Sequence, residues 1–580
     1  MTVAHRGLLV VAVLFACWLA LPGRAEAQAA EPPNIVLVLT DDQRWDTLGA
    51  MPTVQRELVA KGVTFTNAFA TNPLCCPSRA TLLTGRYSHG TGVYLNTGRF
   101  GGFGAFDPSS TVATWLDGRG YTTALVGKYL NGYVGSEAPP GWDRWIAFSG
   151  APDYFNYTLA LNGLLTRRGS LPADYSTDVL ADEAASFIRS TDGPIFLHFS
   201  PFAPHFRRVS AFEVTPAPRH EGAFASLRPW RPASYNERDV RDKPAWLRLQ
   251  PSLTPERMAK GDAFRTQALE SLLAVDEAVG EIVDALAETG RLANTVLIFA
   301  SDNGNAWGEH RWFSKIVPYE ESIRVPLVVR YDALGAAPRR DDHLVVNVDL
   351  APTIAQLVGT RAPGAEGRSL VPLLTSPSSP WRRDFLLEHL ADGPRAALRA
   401  YCGIRSPGET YVQYANGEEE LYNLRADPHQ LLNVARAPAQ RRRLVQLRAR
   451  LRMLCNPPPR GFKPRSPCHM LGTPGANRFR GTDHHDRICA GSGGDRVYGR
   501  GTGDTLLAGP GNDLVQGGSG PDVVYSGRGR DRVSGNSGND TIYAADGRLD
   551  VLRCGPGFDT VQVDRRDRVS LCERVRRLGS

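Results

Sequence analysis

Twelve consecutive residues, Cys75-Cys76-Pro77-Ser78-Arg79-Ala80-Thr81-Leu82-Leu83-Thr84-Gly85-Arg86, combine a reactive sulfur, a helix start and a basic residue suited to burial. Pro77 fits the first helical position, where a missing N–H costs nothing. Gly85 fits the residue that closes the helix, and Leu82 and Leu83 point towards a core. This places Cys75 just outside a helix N-terminus, where unpaired N–H groups and the macrodipole favour an anion. Arg79, one turn further on, can face the same anion. A structural cysteine pair and a redox site are the competing readings, but adjacent cysteines lack the redox C-x-x-C spacing.

Two other stretches place oxygen ligands at strand ends. The apolar run Asn34-Ile35-Val36-Leu37-Val38-Leu39-Thr40 ends in Asp41-Asp42, and Thr295-Val296-Leu297-Ile298-Phe299-Ala300-Ser301 ends in Asp302-Asn303-Gly304. Continuous apolar runs of this kind read as buried parallel strands, whose carboxyl ends hold ligands in open α/β sheets. Adjacent carboxylates repel unless a cation joins them, and all-oxygen ligation favours Ca²⁺ or Mg²⁺. Basic groups also follow strands: Lys128 in Gly127-Lys128-Tyr129-Leu130-Asn131, His205 in Pro201-Phe202-Ala203-Pro204-His205, and Lys315 in Ser314-Lys315-Ile316. The chain has six lysines (Lys61, Lys128, Lys243, Lys260, Lys315, Lys463), so two of them standing where a compact point charge would face an oxyanion adds weight to the set.

The run from Cys75 to Gly85 resembles the sulfatase signature Cys-x-Pro-Ser-Arg-x-x-x-Leu-Thr-Gly at every fixed position. The resemblance implies that Cys75 is oxidised to Cα-formylglycine by a formylglycine-generating enzyme, its hydrated aldehyde being the nucleophile. It implies a Ca²⁺ site made of Asp41, Asp42, Asp302, Asn303 and the modified residue 75. Arg79, Lys128 and Lys315 are then expected to offset sulfuryl charge, and His205 to protonate the leaving oxygen. The sequence departs from many arylsulfatases at Leu130, where their Gly-Lys-Trp-His-Leu-Gly has a histidine; Asn131, His89 and His310 are the candidates to replace it. The Gly-Lys-Tyr-Leu-Asn form, Pro139-Pro140-Gly141-Trp142-Asp143 and Leu273-Ala274-Val275-Asp276-Glu277 resemble the branch containing N-acetylglucosamine-6-sulfatases and heparan endosulfatases. The expected substrate is thus a sulfated carbohydrate or aryl sulfate. Two other readings compete: a phosphonate monoester or phosphodiester hydrolase of the same superfamily, and a non-catalytic calcium-dependent surface-binding protein.

What must position these residues is a chain of 580 residues, 42% hydrophobic and 22% charged, as in ordinary globular proteins. Runs at 63–69, 122–126 and 195–199 read as strands and 269–286 as a long helix, an alternation that predicts an α/β sandwich with a mostly parallel sheet. By resemblance this is an alkaline-phosphatase-like catalytic domain over residues 33–370, with a small α+β subdomain over 371–456. Residues 1–27 read as an export signal, with an apolar run over 8–21 and a small-x-small site at Ala25-Glu26-Ala27. The expected location is extracellular or at the cell surface, with no integral membrane segment after signal removal. The net charge of +7 is arginine-rich. Much of the excess lies over 436–465, where leucines at helical spacing predict an amphipathic helix; no motif supports nucleic-acid binding. Of nine cysteines, Cys554 with Cys572 and Cys455 with Cys468 are plausible local disulfides.

Past a proline-rich stretch, 457–479, read as a linker, aspartates recur every nine residues: Asp486, Asp495, Asp504, Asp513, Asp522, Asp531 and Asp540, then Asp550 and Asp559. An aliphatic lies two residues beyond each. A fixed period signals a solenoid. It resembles the hemolysin-type Gly-Gly-x-Gly-x-Asp-x-aliphatic-x repeat, which implies an appended parallel β-roll over 480–575 binding Ca²⁺ between turns through Asp495, Asp504, Asp513, Asp522, Asp531 and Asp540.

Overall fold

The computed structural model describes residues 31–207, 212–391, 396, 398–459, 462, 468 and 470–578; the expected export signal lies outside them. The central element is a ten-stranded sheet. Its middle strands, Thr295–Ser301, Asn34–Thr40, Ile195–Ser200 and Thr122–Gly127, are mutually parallel. Leu327–Tyr331 runs antiparallel between Thr295–Ser301 and Val63–Phe69, and two antiparallel strands, Thr158–Leu161 and Leu164–Arg167, form one edge.

The apolar runs are continuous because both faces are covered. Val36 and Val38 point into a core shared with the helices Ser176–Ser190 and Pro255–Glu288. Ile35, Leu37 and Leu39, on the alternate face, meet the helices Cys75–Thr84, Val112–Asp117 and Leu350–Leu357. The carboxyl ends of the central strands therefore share one edge, with Asp41, Lys128 and Asp302 each directly following its strand.

A second, antiparallel sheet of four strands, Phe385–His389, Tyr401–Ser406, Glu409–Tyr414 and Glu419–Asn423, carries the helix Arg441–Leu454. Leu444, Leu447 and Leu451 are its buried face, as their spacing predicts. Among the described residues the disulfides are Cys402–Cys455, Cys468–Cys489 and Cys554–Cys572. The local pair Cys455–Cys468 is thus incorrect: the end of the amphipathic helix sits on the Tyr401–Ser406 strand, which brings Cys402 to Cys455. No helix of the described residues is long and apolar enough to cross a membrane.

The C-terminal repeat forms two parallel sheets, of seven and six strands, wound as a roll. Strand partners are 18 residues apart, as in Val497 against Val515 and Val515 against Val533, so two nine-residue repeats make one coil. Ile488, Val497, Leu506, Val515, Val524, Val533, Ile542, Leu552 and Val561 fill the interior. Strands Met470–Leu471 and Arg478–Arg480 already belong to it, so the roll begins inside the stretch read as linker. Short strands without aspartate in phase gave no periodic signal there.

The repeat aspartates from Asp495 onward have a divided environment. One carboxylate oxygen accepts the backbone N–H of the aspartate one coil earlier: Asp504 from Asp486, Asp513 from Asp495, Asp522 from Asp504, Asp531 from Asp513 and Asp540 from Asp522, at 2.7–2.9 Å. The other oxygen of Asp495, Asp504, Asp513, Asp522 and Asp540 is buried without a hydrogen bond. Gly517 is required beside one of them, since a Cβ there would meet Asp522 Oδ2 at 2.2 Å. Burial pushes Asp513 up to about 6 and Asp522 and Asp550 up to about 7.

The Cys402–Cys455 bond closes a 53-residue separation. Cys402→Ser is expected to lower the unfolding free energy of the C-terminal subdomain by about 2–4 kcal/mol. Thermal melting of the full chain checks this, and an unshifted transition contradicts it.

Candidate active site

The helix carrying Cys75 runs Cys75–Thr84, capped by Gly85 at φ 69°. Cys75 is its first residue rather than the one before it. Pro77 stands two positions further in, where its absent N–H is still among the helix's unbonded donors. All ten helix residues are buried, so the sulfur sits beneath the surface rather than on it.

Two segments reach the sulfur directly. Cys75 Sγ lies 3.4 Å from Asp41 Oδ1, 4.0 Å from Asp42 Oδ1 and 2.7 Å from Lys315 Nζ. Lys128 Nζ pairs with Asp41 Oδ2 and Lys315 Nζ with Asp42 Oδ1. Asn303 Nδ2 donates to Asp42 Oδ1 at 2.6 Å, and the Asp42 N–H donates to Asp302 Oδ1 at 3.1 Å. His205 Nε2 stands 3.5 Å from Asp42 Oδ2. The ligand atoms of Asp41, Asp42, Cys75 and His205 all lie within 4.8 Å of one another. Asp302 and Asn303 adjoin this group through Asp42. The residues expected from the sequence are therefore gathered around one point.

Backbone geometry holds them there. Asp42 has φ 66°, a left-handed conformation that aspartate tolerates, and it turns the chain so that two adjacent carboxylates face one space. Lys315 is flanked by Ser314 at φ 91° and Ile316 at φ 74°. A β-branched residue in that region is held at a cost of about 1–3 kcal/mol. The restraints are visible: Ile316 N donates to Pro73 O at 3.0 Å, its carbonyl accepts Tyr401 OH at 3.0 Å, and Trp312 Nε1 donates to Lys315 O at 3.1 Å. These bonds aim the Lys315 ammonium at the sulfur.

Arg79 lies in the expected helix, and most of its donors are spent within the protein. Its Nε donates to Asp302 Oδ2 at 2.8 Å, and Nη1 donates to Lys128 O at 2.9 Å and Ser200 Oγ at 2.7 Å. Only Nη2, buried without a hydrogen bond and 3.7 Å from Asp41 Oδ2, is left towards the site. Arg79 is thus first a clamp that ties three strand ends together. Ser200, which closes the strand Ile195–Ser200, and Asn305, whose Nδ2 lies 3.4 Å from Asp42 Oδ2, also belong to the site. Sequence reasoning passed over both, although Asn305 stands only three residues past Asp302.

The electrostatics follow from burial and pairing. Burial opposes the charge on Asp41, but Lys128, Arg79 and Lys315 together hold its carboxyl well below the usual range. Burial and then Asp41 push the Cys75 thiol up to about 12, so the sulfur is held as a thiol. Burial and then Lys315 lower His205 to about 4. Its Nδ1 lies 2.6 Å from the Phe206 carbonyl, which places the proton of the neutral ring there and leaves Nε2 facing the site.

Leu130 is buried in the core. Of the candidates to stand in for a histidine there, His89 is bonded to Glu388 at 3.1 Å and Glu366 at 3.2 Å, and His310 to Glu237 at 2.6 Å. Neither contacts the sulfur. Asn131 has a buried Oδ1 without a hydrogen bond. Among the described residues, the titratable groups in hydrogen-bonding reach of Sγ are Asp41, Asp42 and Lys315.

Because Arg79 and Asp302 are both buried, removing one strands the other. Arg79→Leu is expected to destabilise the fold by about 3–5 kcal/mol, read as a lowered urea midpoint. A wild-type midpoint would show that the clamp carries no stability.

Comparison with known proteins bears on this geometry. The sulfatase family model matches residues 33–360, and the model for the C-terminal region of N-sulphoglucosamine sulphohydrolase matches 308–456. The RTX calcium-binding nonapeptide repeat matches 469–497, 498–533 and 516–548. An N-acetylglucosamine-6-sulfatase from Capra hircus is 33% identical over 501 residues, 76% of this chain and 87% of that protein. An extracellular sulfatase homolog from Drosophila melanogaster is 34% identical over 372 residues, 61% of this chain but 33% of its own length. A protein solved with its substrate D-glucosamine-2-N,6-O-disulfate superposes with TM-score 0.63 and 26% identity, over 73% of this chain and 98% of that one. The gathered cysteine, carboxylates and lysines thus lie within the matched region, and the chain belongs to the sulfatase family, as a sulfate ester hydrolase with RTX-type repeats at its C-terminal end.

Proposed function

We propose that the chain is an exported, formylglycine- and calcium-dependent sulfatase acting on a sulfated amino sugar. The observation that carries this reading is the convergence of Asp41, Asp42, Lys128, Lys315 and His205 on Cys75 Sγ. The sugar class rests on the relatives: a sulfated glucosamine is the substrate of one, and N-acetylglucosamine-6-sulfatase is the name of another.

The donor set fits a hard cation. Asp41, Asp42, Asp302 and Asn303 offer oxygens, and Asn303 Oδ1 is buried without a partner. Three carboxylates face Arg79, Lys128 and Lys315, so formal charge balances before any ion is added. A divalent cation would then leave a site net positive by two, suited to a sulfate ester. Held by these oxygens, Ca²⁺ would supply charge that polarises the sulfuryl group. Formylglycine at position 75, made by a formylglycine-generating enzyme, would supply an oxygen nucleophile where the thiol cannot serve.

The chain's own residues do the rest. Lys128 and Lys315 bind sulfuryl oxygens from two sides, and Arg79 keeps Asp302 and the Lys128 carbonyl in register. An arriving sulfate ester places negative charge beside His205 Nε2 and raises the proton affinity of the ring. The protonated Nε2 then delivers its proton to the departing oxygen.

A sugar alcohol is a poor leaving group and an activated phenol a good one, so the two substrates separate this role from the others. His205→Ala is expected to lower kcat for glucosamine 6-sulfate by about 10²–10⁴-fold, and to lower it far less for 4-nitrophenyl sulfate. Equal losses on both would remove His205 as the acid. Cys75→Ala should be folded and inactive on both, while mass spectrometry of the native peptide carrying residue 75 should find the aldehyde. Unmodified thiol throughout active material would overturn the reading.

The same cation chemistry extends to the roll. The unpartnered oxygens of Asp495, Asp504, Asp513, Asp522 and Asp540 are the atoms a Ca²⁺ between coils would meet. Asp522→Asn keeps an acceptor for the Asp504 N–H but removes a charge. In chelator at pH 8 it should melt higher than the wild type, and it should gain less from added calcium. An unchanged calcium-induced gain, followed by scanning calorimetry of the full chain, would count against ligation at Asp522.

A further inference from the structure

The two sheets of the roll present different outer faces. In the six-stranded sheet, the column of outward residues at the strand starts reads Arg478, Arg496, Leu514, Arg532, Val551, Arg568. The next outward column reads Arg480, Tyr498, Gln516, Ser534, Arg553, Ser570. Six arginines therefore share one flat face that bears no carboxylate, and all six are exposed. The repeat aspartates stand one residue earlier and are turned inward, where they bond the neighbouring coil. In the seven-stranded sheet the corresponding central residues are Thr505, Val523, Thr541 and Thr560, all neutral.

The basic surface continues around the edge. Arg528, Arg530 and Arg548 stand in the turns leading into the arginine sheet and line a cleft of about 750 Å³ with Asn512 and Asp546. The carboxylate of Asp546 accepts the Gly529 N–H at 2.7 Å.

Like charges side by side on a sheet are destabilising. Arg478 and Arg496 are direct neighbours, and Arg496, Arg532 and Arg568 recur on every second strand, about 10 Å apart at ordinary strand spacing. Among the described residues no carboxylate is paired with Arg496, Arg532, Arg553 or Arg568. A linear polymer with oxyanions at a comparable interval is what such a row complements, and guanidinium binds sulfate-type oxyanions in bidentate fashion.

We propose that this arginine face binds a sulfated polysaccharide, so that the roll holds the enzyme on a polymer whose sulfate esters the catalytic domain can reach. The choice of a sulfated glycan as the anion rests on the function proposed above; the presence of a polyanion site does not. A nucleic acid fits less well. Single strands are bound by successive aromatic platforms. The face has one tyrosine, Tyr498, and Arg478 lies over its ring at 5.5 Å.

The test uses the full chain with calcium present and dextran sulfate as the probe. The quadruple variant R496S/R532S/R553S/R568S should bind dextran sulfate roughly 100-fold more weakly, with the slope of log K against log salt reduced by about 0.7 for each arginine removed. The corresponding quadruple lysine variant should bind more tightly than the serine variant, since charge is retained, but more weakly than wild type, since the bidentate fork is lost. Turnover of 4-nitrophenyl sulfate should be unchanged in both. Wild-type binding by the serine variant, equal binding of unsulfated dextran, or tighter binding of single-stranded DNA than of dextran sulfate would each overturn the proposal. Loss of turnover without loss of binding, as Cys75→Ala is expected to give, bears on the catalytic reading alone.

Discussion

Three carboxylates, Asp41, Asp42 and Asp302, are buried at the ends of two parallel strands, and none can stay ionised there without a cation close by. Arg79, Lys128 and Lys315 answer that need, each from a different segment. The geometry of the catalytic edge follows from it. The strand Asn34–Thr40 has to lie beside Thr295–Ser301 for the Asp42 N–H to reach Asp302, and the helix Cys75–Thr84 has to begin where Arg79 spans Asp302, Ser200 and the Lys128 carbonyl. The loop through Ile316 is bent into a costly conformation because Lys315 must arrive from outside the sheet. Fold and site are thus one charge-balancing problem.

The roll meets the same problem with fewer cations. Its aspartates are stacked coil upon coil, and the protein offers Asp513, Asp522 and Asp531 one backbone N–H each from the neighbouring coil and no cationic side chain. The second oxygen is left buried and unbonded, and burial raises the carboxyl. In the catalytic domain lysine and arginine supply the missing charge from within the chain. In the roll every arginine of the central strands faces outward, because the narrow interior is filled with apolar side chains. Interior charge must therefore come from an ion, and exterior charge is left over for other uses.

This division explains which features were legible in the sequence. The strand-end pairs Asp41-Asp42 and Asp302-Asn303 could be read because buried parallel strands are continuous apolar runs and polar residues ending them stand out. The nine-residue period could be read because one coil is a fixed length of chain. Arg79 stands in the helix its spacing predicts, but spacing along a helix does not say that its Nε and Nη1 meet Asp302, Ser200 and the Lys128 carbonyl. Cys455 pairs not with its neighbour in sequence but with Cys402, which comes from a strand that the helix covers. Both features are contacts between elements distant in the chain. The start of the roll was missed for a different reason, because its first strands carry the fold's hydrogen bonds without its aspartates.

The arginine face was invisible for a further reason. Read along the chain, Arg496, Arg532 and Arg568 each directly follow an aspartate, and nothing in that order says which of the two faces outward. Winding the chain at 18 residues per coil separates the two signs: aspartate turns into the edge and arginine out from the sheet. A sequence of modest net charge thereby yields a one-signed surface. Composition constrains total charge only, and the solenoid period determines where that charge is displayed. In repeat proteins the period therefore has to be applied to the polar residues as well as to the core before a chain's partners can be inferred.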